Sequence, residues 1–358
     1  MHHTKTFVAA AVGLGLVTLS ACGSSDSGSG GDSKTVTLVS HDSWAVSKSV
    51  LKDFEKQSGY TVKVLKDGDA GQAVNKAILT KDNPQGDVFF GVDNTLLSRA
   101  LDNGLFQSYD AKGSDLVKSE YRVDQTKHRV TPIDTGDICV NYDKAYFSKH
   151  KLTPPTSFAD LVKPEYKNLL VTENAATSSP GLGFLLGSAA QYGDDGWQSY
   201  WKKLKANGVK VVDGWEQAYD QEFSGSAGGK KAGGDRPLVV SYASSPPAEV
   251  IYADPKPTTA PTGVSYGTCF RQTEYAGLLS NAENTKGGKA FLDFLLTKEF
   301  QQDMPLNMFV YPVIEGAQVP QEFVKYGRQA PNPETMAPAK IAADRDQWVK
   351  SWTSLVLK

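Results

Sequence analysis

The sequence predicts an α/β protein of two lobes, each built on an open, mostly parallel sheet with helices on its faces, and a ligand cleft between the lobes. Three observations lead there. Strand-like β-branched runs alternate with amphipathic helical runs along most of the chain. The 358 residues, 40% of them hydrophobic, are enough for two cores of ordinary size, since domains usually hold roughly 100–200 residues. Extended stretches over residues 131–144 and 269–275 read as crossings from one lobe to the other.

The chain opens with a short polar start carrying Lys5, then an apolar run from Phe7 to Ala21. That run is shorter than the ~20 residues a bilayer-spanning helix needs and reads as a secretory leader over residues 1–21. It ends in Leu19-Ser20-Ala21-Cys22-Gly23, which resembles the lipobox of bacterial lipoproteins and implies lipid on Cys22. Residues 22–34 continue as a Gly/Ser-rich polar stretch, the composition of a flexible tether. With Cys22 lipidated, Cys139 and Cys269 remain, and two cysteines in an oxidising compartment are a disulfide candidate.

From Thr35 the elements follow in turn. Thr35–Ser40 is a β-branched strand; Val46, Val50, Leu51 and Phe54 share one helical face, with Gly59 as the stop. Thr61–Leu65 is the second strand, Ala73, Val74, Ala77 and Ile78 mark the second helix, Asp87–Asp93 is a buried strand, and Leu96, Leu97, Ala100 and Leu101 form a third helix ending near Gly104. Residues 35–134 and about 270–310 form the first lobe. The second, residues 135–269, has Ser157 and Asp160 spaced as a capping box, strands at Leu169–Thr172, Val209–Val212 and Leu238–Tyr242, and helices from Pro180 and over Gly214–Phe223. Ser224–Gly234 reads as a mobile surface insertion. Residues 311–358 pack across both lobes. Two crossings side by side would bring Cys139 near Cys269, a staple at the hinge.

The balance of 38 Lys and Arg against 40 Asp and Glu leaves a formal charge of −2, with no basic field to hold nucleic acid or spread on an anionic membrane. No Gly-x-Gly-x-x-Gly, P-loop, Gly-x-Ser-x-Gly or Cys-x-x-Cys occurs, no His-x-x-x-His spacing suits zinc, and the five histidines include two at the N-terminus. A binding protein without cofactor or resident metal is the expectation.

In open α/β sheets the ligand crevice lies beyond the carboxyl ends of the strands. Thr177-Ser178-Ser179-Pro180-Gly181-Leu182-Gly183 is the strongest local signal there: Ser179 suits the N-cap, Pro180 the first helical position, and free amides at a helix start suit an anion or a hydroxyl. By itself the segment is an ordinary capped helix. Its neighbours at other strand ends, Gly214-Trp215 and Ser241-Tyr242-Ala243-Ser244-Ser245-Pro246, add aromatic faces and hydroxyls, while Asp42, Asp67, Asp93 and Asp134 offer carboxylates that also fit turn or capping roles.

Five segments in series, Thr177–Leu186, Gly214–Tyr219, Val240–Pro246, Val92–Leu97 and Tyr311–Val313, resemble the periplasmic thiamine-binding proteins of bacterial ABC thiamine importers, in the same order from about Thr35 to Lys358. The resemblance implies a two-lobed, type II-like periplasmic-binding fold closing on thiamine, thiamine monophosphate or pyrophosphate, an ABC permease and ATPase as partners, and a monomer anchored outside the membrane by lipid alone. Residue by residue it implies ligand contacts from Asp67, Gly68, Ser178, Ser179, Trp215, Tyr242, Ala243, Ser244 and Ser245, with the serines on the hydroxyethyl or phosphate end. The chain departs from the family's pattern at His41, at Phe309 and near Ala248-Glu249, where the family carries other aromatics; His41, Asp42, Asp93, Asp134 and Phe309 are weaker ligand candidates. Two alternatives stay open: the same fold on a polyamine, ferric ion or oxyanion, though no Tyr-Tyr pair suits iron; and a thiaminase-like transferase, which would need Cys139 as a free thiol.

Overall fold

The computed structural model describes Ser33–Lys358. The leader, Cys22 and most of the tether expected at 22–34 lie outside the described residues. Ten strands form one continuous mixed sheet: β1 (Thr35–Ser40), β2 (Thr61–Lys66), β3 (Val88–Asp93), β4 (Phe106–Gln107), β5 (Thr131–Asp143), β6 (Leu170–Glu173), β7 (Lys210–Val212), β8 (Leu238–Tyr242), β9 (Thr262–Leu279) and β10 (Tyr311–Pro312). The order runs β2-β1-β3-β9-β5-β8-β6-β7, with β4 on β9 and β10 on β5. At each end the strands pair in parallel, β1 with β2 and β3, β6 with β7 and β8. At the centre β5 and β9 run antiparallel to each other and to their neighbours β8 and β3.

The expectation of mostly parallel sheets thus holds for the βα sets, while the long crossing strands join both sets edge to edge. Parallel strands need a helix to return the chain, whereas a strand passing once between two sets has no such constraint on its direction.

Helices cover both faces: α1 (Lys48–Ser58), α2 (Ala70–Leu79), α3 (Leu97–Asp102), α4 (Lys144–Lys149), α5 (Ser179–Ala206), α6 (Trp215–Gln217, continuing as a π-helical turn over Ala218–Glu222), α7 (Ala227–Ala232), α8 (Ala248–Ile251), α9 (Thr285–Leu295), α10 (Lys298–Asn307), α11 (Gln321–Tyr326) and α12 (Pro338–Val356). The main core lies between the sheet and these helices, with Phe54, Phe89, Phe90, Phe184, Phe291 and Trp201 fully buried. Helix α12 reaches elements from both ends of the sheet: Trp352 meets Trp201 of α5 edge to face at 5.4 Å, and Asp346 lies 3.6 Å from Arg99 of α3.

Three local expectations are modified. Ser224–Gly234 stays at the surface but carries a short helix: Ser226 is fully buried, caps α7 by accepting from the Gly229 amide at 2.9 Å, and its hydroxyl lies against the Phe223 and Tyr219 carbonyls. A run of small residues reads as loose in sequence but here fits where larger ones would collide. The N-cap of α5 is Ser178, with Ser179 already helical and Pro180 at the next position. The capping-box spacing at Ser157 and Asp160 does close reciprocally, the Asp160 carboxylate accepting from the Ser157 amide at 3.1 Å and the Ser157 hydroxyl from the Asp160 amide at 3.3 Å, but the turn it starts is a single 3-10 turn over Asp160–Val162.

Cys139 of β5 and Cys269 of β9 are joined, their Cα atoms 4.2 Å apart. The bond sits where the β5–β9 register shifts between Ile138 and Val140, packed with Ala243 and Ala330 and closed to solvent. Beside it Asp137 of β5 pairs with Arg271 of β9, and its other oxygen accepts from the Ala330 amide at 2.6 Å. The segment around Glu334 also lies along β9, its amide donating to the Cys269 carbonyl at 2.7 Å.

Candidate functional site

The carboxyl ends of β1, β2, β6, β7 and β8 converge, and the loops and helix starts that follow them line a pocket. His41 comes from the turn after β1, Asp69 and Ala70 from the start of α2, Ser179 and Pro180 from the start of α5, Trp215 from the start of α6, Tyr242 and Ser245 from the end of β8 and its loop. Glu274 of β9 and Met308–Val310, between α10 and β10, complete the wall. A wider cavity of about 520 Å³ adjoins it, sharing Ser43, Trp215, Ser245, Met308 and Phe309.

The aromatic wall is held by specific contacts. Trp215 stacks on Tyr219 with ring centroids 5.0 Å apart and 14° between planes, and lies 6.4 Å from Tyr242. Its indole N–H donates to the Ser241 hydroxyl at 2.9 Å, which pairs at 2.9 Å with the Ser245 hydroxyl, and Ser245 accepts from the Tyr242 amide. These bonds fix the ring planes without using ligand contacts, so the platform is pre-organised. Phe309, with φ at +56°, stacks on Phe323 at 6.2 Å and meets Tyr252 edge to face.

The acidic side is built around Asp69. Its carboxylate accepts from the Ala70 amide at 2.6 Å and from the Trp215 amide at 2.9 Å, so one side chain caps α2 and ties it to α6. Burial pushes the Asp69 pKa up, against the pull of the Trp215 amide and the charge of His41. Glu274 lies 3.4 Å from Nε2 of His41. Burial alone would lower the His41 pKa, but the charges of Glu274, Asp69 and Asp42 outweigh it and hold it above its ordinary value. Gly91, at φ +98°, leaves room for this ring: a Cβ there would fall 2.2 Å from Cδ2 of His41. Across the strands Asp134 of β5 faces Glu274 of β9, and burial, followed by the Glu274 charge, drives the Asp134 pKa well up. Glu173, at the end of β6, is fully buried and its pKa is also raised by burial.

Of the sequence candidates, Ser179, Trp215, Tyr242, Ser245, His41 and Phe309 meet around this pocket. Ser178 is buried at the N-cap directly behind it. The others stand elsewhere. Asp67 is tied to Lys76 at 2.6 Å, and Gly68, at φ +87°, donates to Asp42 at 3.2 Å; both lie outside the lining, which takes Asp69 and Ala70 two residues later. Asp42 lines a shallower neighbouring hollow with Asp213 and Glu216. Asp93 closes the turn before α3, accepting from Thr95 and Leu96, and holds Gln272, whose amide also donates to Ser179 at 3.0 Å. Ala243 packs against the disulfide, and Ser244 is buried away from the pocket lining.

Asp69 and Glu274 are the charged lining residues that sequence reasoning missed. Asp69 carried a signal, Gln72 three positions on, the capping-box spacing that marks a helix start. Glu274 carried none of its own, because only the pairing of β9 with β3, and of β3 with β1, brings it beside His41. Among the described residues no cluster of His, Cys, Asp and Glu is arranged to hold a metal ion.

Residues 83–234 match the model of a bacterial extracellular solute-binding protein family. The thiamine-binding periplasmic proteins of Salmonella typhimurium and Escherichia coli are each 31% identical over 90% of this chain and 93% of theirs, and that of Haemophilus influenzae is 26% identical over 91% and 93%. Among solved structures, a periplasmic thiamin binding protein superposes with a TM-score of 0.79 at 27% identity, covering 90% of this chain and 96% of that one. The apo ferric ion-binding protein A of Pasteurella haemolytica, at 18% identity and a TM-score of 0.70, shares the fold.

The fold and its cleft are those of a periplasmic solute-binding protein. Within that class the chain belongs to the family of the thiamine-binding periplasmic proteins.

Proposed function

We propose that this chain is the exported solute receptor of an ABC importer, and that it captures thiamine, and with it thiamine monophosphate or pyrophosphate, without catalysing a reaction. The observation that carries the reading is the joining, in one pocket, of the Trp215–Tyr242 aromatic wall with the carboxylates of Asp69 and Glu274. A thiazolium cation is attracted both by aromatic faces and by carboxylates, and the hydroxyls of Ser179 and Ser245 suit the polar ends of such a ligand. The relatives named above bear thiamine in their names. The disulfide at Cys139 removes the free thiol that a thiaminase-like transferase would need.

In this reading residues 35–134 with about 270–310 form one lobe and 135–269 the other, 311–358 spans both, and closure about β5 and β9 buries the ligand and presents a changed surface to the permease and its ATPase. The protein acts as a monomer, held to the outer face of the membrane by lipid on Cys22 after removal of residues 1–21. Titration calorimetry against thiamine, spermidine and ferric citrate, on protein freed of carried-over ligand by unfolding and refolding, tests the proposal. Saturable sub-micromolar thiamine binding that collapses in Trp215→Ala is expected; heat with another solute and none with thiamine would leave the receptor fold and remove the substrate.

A further inference from the structure

We propose that His41 and Glu274 form the charge-recognition pair of the pocket, in which an organic cation takes the place of the His41 proton beside Glu274, so that ligand capture expels a proton to solvent. The inference rests on the reading of the ligand as a cation such as thiamine, and adds to it the residue pair that senses the charge.

The geometry carries it. His41 and Glu274 both line the pocket, their Nε2 and Oε1 atoms are 3.4 Å apart, and their side chains are only 12% and 9% exposed. A cation entering the same small space must share Glu274 with the imidazolium. At short range in a poorly hydrated pocket, two positive charges repel, and the group that can discard its charge at little cost is the histidine.

One face of His41 packs on Phe90 and Gly91, and the charged groups around the rest of it are all acidic. Asp42 adjoins it in the turn after β1, Asp69 faces it from the start of α2, Glu274 from β9, and behind Glu274 stand Asp134 of β5 and Asp93 of β3. Glu173 of β6 lies near Asp69, and Tyr242 of β8 closes the wall. Among the described residues no lysine or arginine lines this pocket. His41 is therefore the cation the empty protein supplies for itself, and its charge is the one a cationic ligand makes redundant. On capture the imidazolium N–H proton goes to water or buffer, the ring becomes neutral, and the ligand's fixed positive charge keeps the pocket's net charge unchanged.

The test is thiamine titration calorimetry from about pH 5.5 to 8, each pH in two buffers of different ionisation enthalpy, because the difference in heat counts protons released. Up to one proton released per thiamine at the acid end, falling toward zero at the alkaline end, is expected, with affinity rising by at most about tenfold per pH unit below the His41 titration and levelling above it. His41→Phe and His41→Gln abolish both the release and the pH slope. Glu274→Gln, which leaves the imidazole without its counter-ion, moves the slope to lower pH. Wild-type binding without proton release, or release that persists in both His41 variants, overturns the proposal; the second result would assign the proton to the Asp134–Glu274 pair. Failure of thiamine to bind at any pH would instead remove the functional reading beneath it.

Discussion

Removing the Cys139–Cys269 disulfide measures how much of the stability of this fold is written in its unfolded state. Cys139 and Cys269 are 130 residues apart in the chain, so the bond forbids a large share of the open conformations of the unfolded protein. In the chain-entropy model a loop of that length costs about 16–17 cal/mol/K, or about 5 kcal/mol at 25 °C, when the cross-link is present. Both cysteines are closed to solvent and packed against Ala243 and Ala330. Alanine is thus the right replacement, since serine would bury hydroxyls without partners. Unfolding a chain of roughly 330 ordered residues gains about 0.7 kcal/mol/K, so the double variant Cys139→Ala/Cys269→Ala is expected to melt ~7 °C lower in ligand-free scanning calorimetry. The β5–β9 hydrogen bonds remain, so the fold itself persists. A melting point within about 2 °C of the parent would refute the argument that the bond acts on the unfolded chain. Two reactive thiols in denatured, unreduced protein would refute the bond.

Other perturbations reach different parts of the same argument. Asp69→Ala removes both the cap of α2 and the tie to the Trp215 amide; about 1–2 kcal/mol of stability should go in denaturant titrations, with a loss of thiamine affinity larger than that from Asp67→Ala, whose side chain bonds to Lys76 instead. Asp93 is buried with its pKa raised from 3.8 to about 6 by desolvation, despite the Thr95 and Gln272 hydrogen bonds. The folded state then holds a proton that the unfolded state has released between about pH 4 and 6, so stability falls as pH rises through that window and is flat above it, by at most about 3 kcal/mol; urea midpoints of Asp93→Asn should lack that part of the slope. Gly181→Ala would place a Cβ 2.5 Å from the Glu173 carbonyl oxygen, and a fall in melting temperature together with weaker thiamine binding, read by scanning calorimetry and titration, is expected because the start of α5 must shift away from β6.

The βα elements were legible because burial has a local period. Val36, Leu38 and Val39 in β1, Val50 and Phe54 in α1, and Ala73, Val74 and Ala77 in α2 are all buried where the pattern puts them. The polar turns at strand ends were legible for the same reason: in parallel sets these turns gather at one edge, which is why Ser179, Trp215, Tyr242 and Ser245 could be brought together before any coordinates. Small-residue runs misled, since Ser224–Gly234 has a loop's composition yet forms a short surface helix anchored by the buried Ser226 and Gly229.

What the sequence determined alone was therefore the alternation of elements, the class of site at their carboxyl ends, the near-even acid-base balance, and the cysteines available to pair. The tertiary structure decided the rest. Whether Asp67 or Asp69 enters the pocket depends on which carboxylate caps α2, and whether Glu274 meets His41 depends on the antiparallel register of β3 and β9, where a slip of one residue turns each side chain to the opposite face. The first choice is local, and the Asp69–Gln72 spacing carried its signal; the second is set by packing between segments more than a hundred residues apart, and no local period records it.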